Sequence, residues 1–170
     1  IFGKQNMDTI YKSDTKRVFL TFDDGPSPVT SKILDILKQE NVKATFFILG
    51  SNVDSRKDVV KRMYEEGHYL ANHGYSHTYS KIYSSPQSVL DEYNECNDKV
   101  KNAIEVPDYN SHLFRFPGGL AGGKYAEIKK EAKELLLQNN IVNVDWNALT
   151  GDAETNNLSL EFEMTRLTET

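Results

Sequence analysis

Cysteine is nearly absent from this 170-residue chain: Cys96 is the only one, which excludes an intrachain disulfide and any zinc site built on paired thiolates. No apolar run is long enough to cross a membrane, and no low-complexity tract interrupts the chain. Positive charge is also in deficit. Twenty Lys and Arg stand against 25 Asp and Glu, and a net charge of -5 argues against a nucleic-acid surface. The first residue is Ile1 and no charged-then-apolar leader follows it, so a processed or trimmed chain is expected. What remains fits one globular domain over residues 1–170, with 38% hydrophobic and 26% charged residues. A monomer is the expectation.

Strand and helix patterns alternate along the chain. Arg17-Val18-Phe19-Leu20 leads an apolar run read as a buried strand over 17–22, and Val29, Ile33, Leu34, Ile36 and Leu37 follow at helical spacing from Pro28 to Glu40, with Ser27 as N-cap. Ala44 to Leu49 is apolar throughout, as in a strand covered on both faces. A helical pattern over 54–66 then ends at Gly67, and Tyr69 to Asn72 gives a third strand. The same alternation predicts a helix over 86–105, a strand over 113–116, a helix over 125–140, a strand over 141–146 and a helix over 158–167. Repeated βα units with short connections imply a parallel sheet with helices outside, either open and doubly wound or closed into a barrel. A chain ending on a helix leaves an open edge, so further residues are expected beyond Thr170.

Four polar clusters fall where the predicted strands end. Asp23 and Asp24 close the first, and because neighbouring side chains of a strand point opposite ways, they can share a site only if the backbone turns; Gly25-Pro26 is the expected turn. His73 and His77 follow the third strand at i, i+4 spacing, which on a helical turn brings both imidazoles to one side. Gly74 stands where a metalloprotease HExxH motif would carry its glutamate. Two histidines and one aspartate suit zinc or another divalent metal such as cobalt, manganese or iron. Taken alone, each histidine reads better as a loop residue bonded to backbone than as a ligand, and His68 and His112 read only that way. Arg115 ends the fourth strand, where its fork could orient an ionised carboxylate, and Gly118-Gly119 leave N–H groups for an oxyanion. Asp145 and Trp146 end the fifth and offer a partner acid and an aromatic plate; a structural Arg–Asp pair and a core tryptophan are the alternative.

Together, Thr21-Phe22-Asp23-Asp24-Gly25, His73-Gly74-Tyr75-Ser76-His77, Arg115-Phe116-Pro117-Gly118-Gly119 and Asp145-Trp146 resemble, in order and spacing, four motifs of the polysaccharide deacetylases with NodB homology, carbohydrate esterase family 4. The resemblance runs from about residue 15 to 155. It implies an α/β fold, a distorted (β/α) barrel of the NodB type that lacks its last strand or strands in this chain. It also implies metal-dependent removal of acetyl groups from an N-acetylated glycan such as peptidoglycan or chitin oligomers, at an extracellular or cell-wall location in a bacterium. Carried over by position, Asp23 corresponds to the general base, and Asp24, His73 and His77 to the ligands of a divalent metal, zinc first with cobalt or manganese as alternatives. Arg115 corresponds to the residue that orients the base, Asp145 to its partner, Gly118 to an oxyanion N–H and Trp146 to the groove wall. The family's fifth motif, a late strand ending in Leu and a general-acid His, has no counterpart before Thr170. The competing expectation is a glycan-binding or metal-holding remnant. An iron oxygenase is disfavoured by the βα rhythm, and a phosphatase by the adjacency of Asp23 and Asp24.

Overall fold

A computed structural model describes residues 17–148 together with Asp14. The predicted helix over 158–167 and the lead-in before residue 17, apart from Asp14, lie outside the described residues. Five strands, β1 (Thr21–Gly25), β2 (Thr45–Ile48), β3 (Tyr69–Asn72), β4 (Leu113–Phe114) and β5 (Val142–Asn143), form one parallel sheet in the order 1-2-3-4-5. The helices between them are α1 (Thr30–Gln39), α2 (Gly50–Val53), α3 (Lys57–Glu65), α4 (Tyr79–Ile82), α5 (Pro86–Ile104) and α6 (Ala126–Gln138), with a 3-10 turn at Asp54–Arg56.

This order decides between the two architectures the sequence left open. A doubly wound sheet reverses its winding at a switch point, whereas strands laid down strictly in sequence, with crossovers of one hand, wrap the helices around one side. The described strands therefore form an arc of a barrel wall, and the arc does not close. Its curvature is visible in one side chain. Arg115, just after β4, donates to the Thr21 hydroxyl on β1 at 2.9 Å, although a flat sheet would hold β1 and β4 about 14 Å apart.

Apolar residues form two clusters. Leu34 and Leu37 of α1, Val60 and Met63 of α3, and Val100, Ala103 and Ile104 of α5 pack with Phe46, Ile48 and Leu70 from the sheet. The second cluster joins Val89 and Tyr93 of α5, Ala132 and Leu136 of α6, and Phe114 and Phe116 around β4. α5 belongs to both, and its start is set by Ser85, whose hydroxyl accepts the Ser88 N–H at 3.0 Å ahead of Pro86.

Several expected boundaries shift. The first strand begins at Thr21, not Arg17: Thr21 pairs with Thr45, and the preceding Val18 (89% exposed) and Phe19 (60%) overhang the start of β2, where no strand among the described residues covers them. α1 starts at Thr30 with Val29 as its cap residue, because the Thr30 hydroxyl reaches back to accept the Ser27 N–H instead of Ser27 capping forward. The helix expected at 54–66 is two pieces, the 3-10 turn and α3, and the short helix α2 precedes it. The last two strands keep only two residues each of ladder pairing.

Candidate active site

β1 does not run straight into its turn. Asp23 pairs with Phe47 and Gly25 with Ile48, so Asp24 is an extra residue, a bulge with φ of 64°. The bulge removes the strand alternation that would set adjacent carboxylates on opposite faces. The turn that the sequence placed at Gly25-Pro26 thus begins one residue earlier, at Asp24 itself. A non-glycine residue in this left-handed region costs about 1–2 kcal/mol, and here Asn52 of α2 holds it by donating to the Asp24 carbonyl at 3.0 Å.

The two carboxylates then meet different partners. Asp24 Oδ1 lies 3.4 Å from His73 Nε2 and 3.4 Å from His77 Nε2, and one donor atom from each residue falls within 4.8 Å of the others. Asp23 Oδ1 instead accepts from Arg115 Nη1 at 2.8 Å. Arg115 is 2% exposed and satisfies its buried charge through Asp23, the Thr21 hydroxyl and, from Nε, the Val144 carbonyl at 2.9 Å. Its guanidinium also lies 3.9 Å from the Phe47 ring centre and 4.9 Å from that of Trp146.

Arg115 links the two halves a second time through its backbone. Its carbonyl is 2.7 Å from His73 Nδ1, and since a carbonyl only accepts, the ring proton sits on Nδ1 and the Nε2 lone pair faces Asp24 and His77. That is the tautomer a metal ligand requires. Burial holds His73 well below the usual imidazole range, down to about 4, against the raising influence of the Asp24 charge. One carboxylate and two imidazoles at this spacing fit a divalent transition metal.

The loop after β4 departs from expectation in two places. Gly119 uses its N–H on the Phe116 carbonyl at 2.7 Å, so of the two glycines only Gly118 keeps an N–H without a partner among the described residues. Gly118 has φ of 72°, and a Cβ there would stand 2.3 Å from the Tyr79 hydroxyl, which is why no side chain fits. Asp145 does not pair with Arg115. Its Oδ2 accepts the Leu120 N–H at 3.0 Å and its Oδ1 is buried without a hydrogen-bond partner among the described residues, because it is the Val144 carbonyl that meets the arginine. Asp145 therefore braces the glycine loop, together with two residues the sequence reading missed: Tyr83, whose hydroxyl donates to the Pro117 carbonyl at 2.6 Å, and Lys129, whose ammonium donates to the Gly119 carbonyl at 2.6 Å. Desolvation pushes the Lys129 amine below its ordinary value, with the Asp145 charge opposing. Neither had a sequence signal, since Tyr83 follows α4 and Lys129 lies within α6, both away from the strand ends. Trp146 is exposed and lies beside Gly119.

Residues 11–138 match the sequence profile of the family described as polysaccharide deacetylase. The chain belongs to that family. Among the family's members, the peptidoglycan-N-acetylglucosamine deacetylase of Bacillus cereus is 38% identical over 144 residues, covering 83% of this chain and 50% of that protein. A Streptococcus mutans carbohydrate esterase of family 4 superposes with a TM-score of 0.85 at 33% identity, covering 97% of this chain and 71% of that one. The catalytic domain of a peptidoglycan N-acetylglucosamine deacetylase from Eubacterium rectale gives 0.81 at 30% identity, with 95% and 76% covered. The chain spans half or less of the length of the curated relatives it matches. The NodB fold expected from the motifs is the fold of these solved deacetylases.

Proposed function

We propose that the chain is a metal-dependent hydrolase that removes N-acetyl groups from a polysaccharide, with peptidoglycan or chitin oligomers as substrate class. The observation that carries this reading is the division of labour between adjacent acids: Asp24 faces two imidazole nitrogens at 3.4 Å while Asp23 is anchored by a buried arginine. Asp24, His73 and His77 would hold the metal, zinc first and cobalt or manganese as alternatives. When bound there, such an ion supplies Lewis-acid polarisation of water and of the acetyl carbonyl.

The remaining steps belong to the chain's own groups. Asp23, oriented by Arg115, accepts the proton of the attacking water. The Gly118 N–H, fixed by the bracing of its neighbours Pro117, Gly119 and Leu120, donates to the oxyanion. Tyr79, whose ring centre lies 5.6 Å from that of His77, and Trp146, beside Gly119, are exposed and would present ring surface to a sugar. Bacillus cereus and Eubacterium rectale relatives bear names that specify peptidoglycan N-acetylglucosamine, and others are named chitooligosaccharide deacetylases, which supports the substrate class and an extracellular or cell-wall setting. Among the described residues no helix is long and apolar enough to cross a membrane.

One observation favours a second reading. Of the four histidines in the sequence given, His73 and His77 are committed beside Asp24, and His68 and His112 precede β3 and β4 at the opposite end of the sheet, so none of these four is placed to protonate the leaving amine. On that reading the chain binds N-acetylated oligosaccharide and releases no acetate. Acetate release from a chitin oligomer, measured before chelation, after chelation and after zinc is restored, separates the two. Chelator-sensitive release supports the hydrolase. Release indifferent to exhaustive chelation would falsify the metal assignment, and glycan binding without release supports the remnant.

A further inference from the structure

The short loop that carries His77 contains an unusual density of bonds to one residue. Glu92, on α5, is 4% exposed. Its Oε2 accepts the N–H groups of Tyr75 at 2.9 Å and Ser76 at 2.7 Å, and its Oε1 accepts the Ser76 hydroxyl at 2.5 Å. The same hydroxyl accepts the Thr78 N–H at 3.2 Å, so the residues on both sides of His77 are tied to one carboxylate. From the other side, the Gly74 and Tyr75 carbonyls accept the Gly50 and Ser51 N–H groups of α2 at 3.0 Å each. The loop is clamped between two elements.

The clamp has work to do. His77 has φ of 54° and Gly74 φ of 82°, and a left-handed histidine persists only where surroundings enforce it. A buried carboxylate, in turn, needs hydrogen-bond donors to offset its desolvation. The nearest ammonium, Lys81, is 3.9 Å away and largely exposed, so the three loop donors supply most of what Glu92 needs. Carboxylate and loop each satisfy the other's requirement.

We propose that Glu92 is a positioning residue that forms the 73–77 loop in advance, so that the His77 imidazole already stands beside Asp24 and His73 before a cation arrives. The proposal rests on the ligand set of the preceding section. Without Glu92 the loop would have to be ordered when the metal binds, and that cost would be subtracted from affinity.

The test uses the chain with Glu92→Gln and Glu92→Ala. In the metal-free protein, hydrogen exchange of the Tyr75 and Ser76 amides is expected to be slow in the wild type, faster in Glu92→Gln and faster still in Glu92→Ala. Cobalt titration is expected to show affinity weakened by roughly 10–100-fold, with the smaller loss in Glu92→Gln, which keeps one acceptor oxygen. The visible absorption bands of bound cobalt should change as His77 is held less firmly, a signature that general loss of stability does not produce. If Glu92→Ala does not fold, the near-isosteric glutamine variant decides. Wild-type affinity and an unchanged cobalt spectrum in the variants would overturn the proposal, as would freely exchanging Tyr75 and Ser76 amides in the wild type. A wild-type chain that binds no cobalt overturns the ligand set instead, and the amide exchange still reports whether Glu92 holds the loop.

Discussion

His68 and His73 stand at the two ends of β3, both buried, and the surrounding bonds give them opposite characters. At the base, His68 Nδ1 accepts the Ala44 N–H at 3.2 Å, so the proton is on Nε2, which points a donor toward the Glu66 carboxylate 3.9 Å away. At the mouth, His73 Nδ1 donates to the Arg115 carbonyl and leaves Nε2 as a lone pair. The base histidine spends its Nδ1 lone pair on backbone and keeps a buried Nε2–H with no hydrogen-bond partner among the described residues, so it has no lone pair to offer a cation; the mouth histidine keeps its Nε2 lone pair turned toward Asp24. Burial alone does not distinguish them. What distinguishes them is whether the neighbouring strand presents an N–H or a C=O to the ring.

The sharpest way to break this comparison is to remove each ring in turn. His73→Gln is expected to abolish stoichiometric zinc binding, read by metal analysis after dialysis, whereas His68→Gln keeps it. Equal loss in both variants would show that the site depends on general integrity of β3 and not on the tautomer. Within the mouth, Asp23→Asn should retain metal and lose acetate release by roughly 10²–10⁴-fold, the usual worth of a positioned base. An active Asp23→Asn enzyme would move the base elsewhere.

Arg115→Met tests the other arm of the mouth. It removes the charge partner of Asp23 and leaves the Thr21 hydroxyl and Val144 carbonyl without their donor, so a loss of about 3–5 kcal/mol in chemical denaturation is expected. A loss below about 1 kcal/mol would place this pair with surface ion pairs. The smallest effect concerns the base. Desolvation lowers the His68 pKa in the folded state, with the Lys43 charge adding to it, so the unfolded chain binds more protons once pH falls below about 6.5. His68 thus contributes stability that is present above that pH and is lost as pH falls toward its depressed value. Stability curves for His68→Gln should be flatter through that window than those of the wild type; parallel curves would remove His68 as the source.

Legibility in the sequence followed burial. β2, covered on both faces, shows an unbroken apolar run and was placed within a residue, and α5 shows its stripe of Val89, Tyr93, Cys96 and Val100 because that face meets the core. Val18 and Phe19 misled for the same reason inverted: strand-forming side chains that no described strand covers. Asp24, His73, His77 and Arg115 were legible because their spacing follows strand ends. Glu92, Tyr83 and Lys129 were not, since each acts 10 to 34 residues away on a loop whose position no local pattern reports.

By itself the sequence determined which residues would gather at the strand ends, because a parallel βα repeat brings the residues after its strands to one mouth whatever the details. Only the tertiary structure decided how they divide. The bulge at Asp24 turned two adjacent acids toward different partners, and Val144, not Asp145, met the arginine. Those outcomes depend on ångström-scale register between strands, which local chain chemistry does not encode.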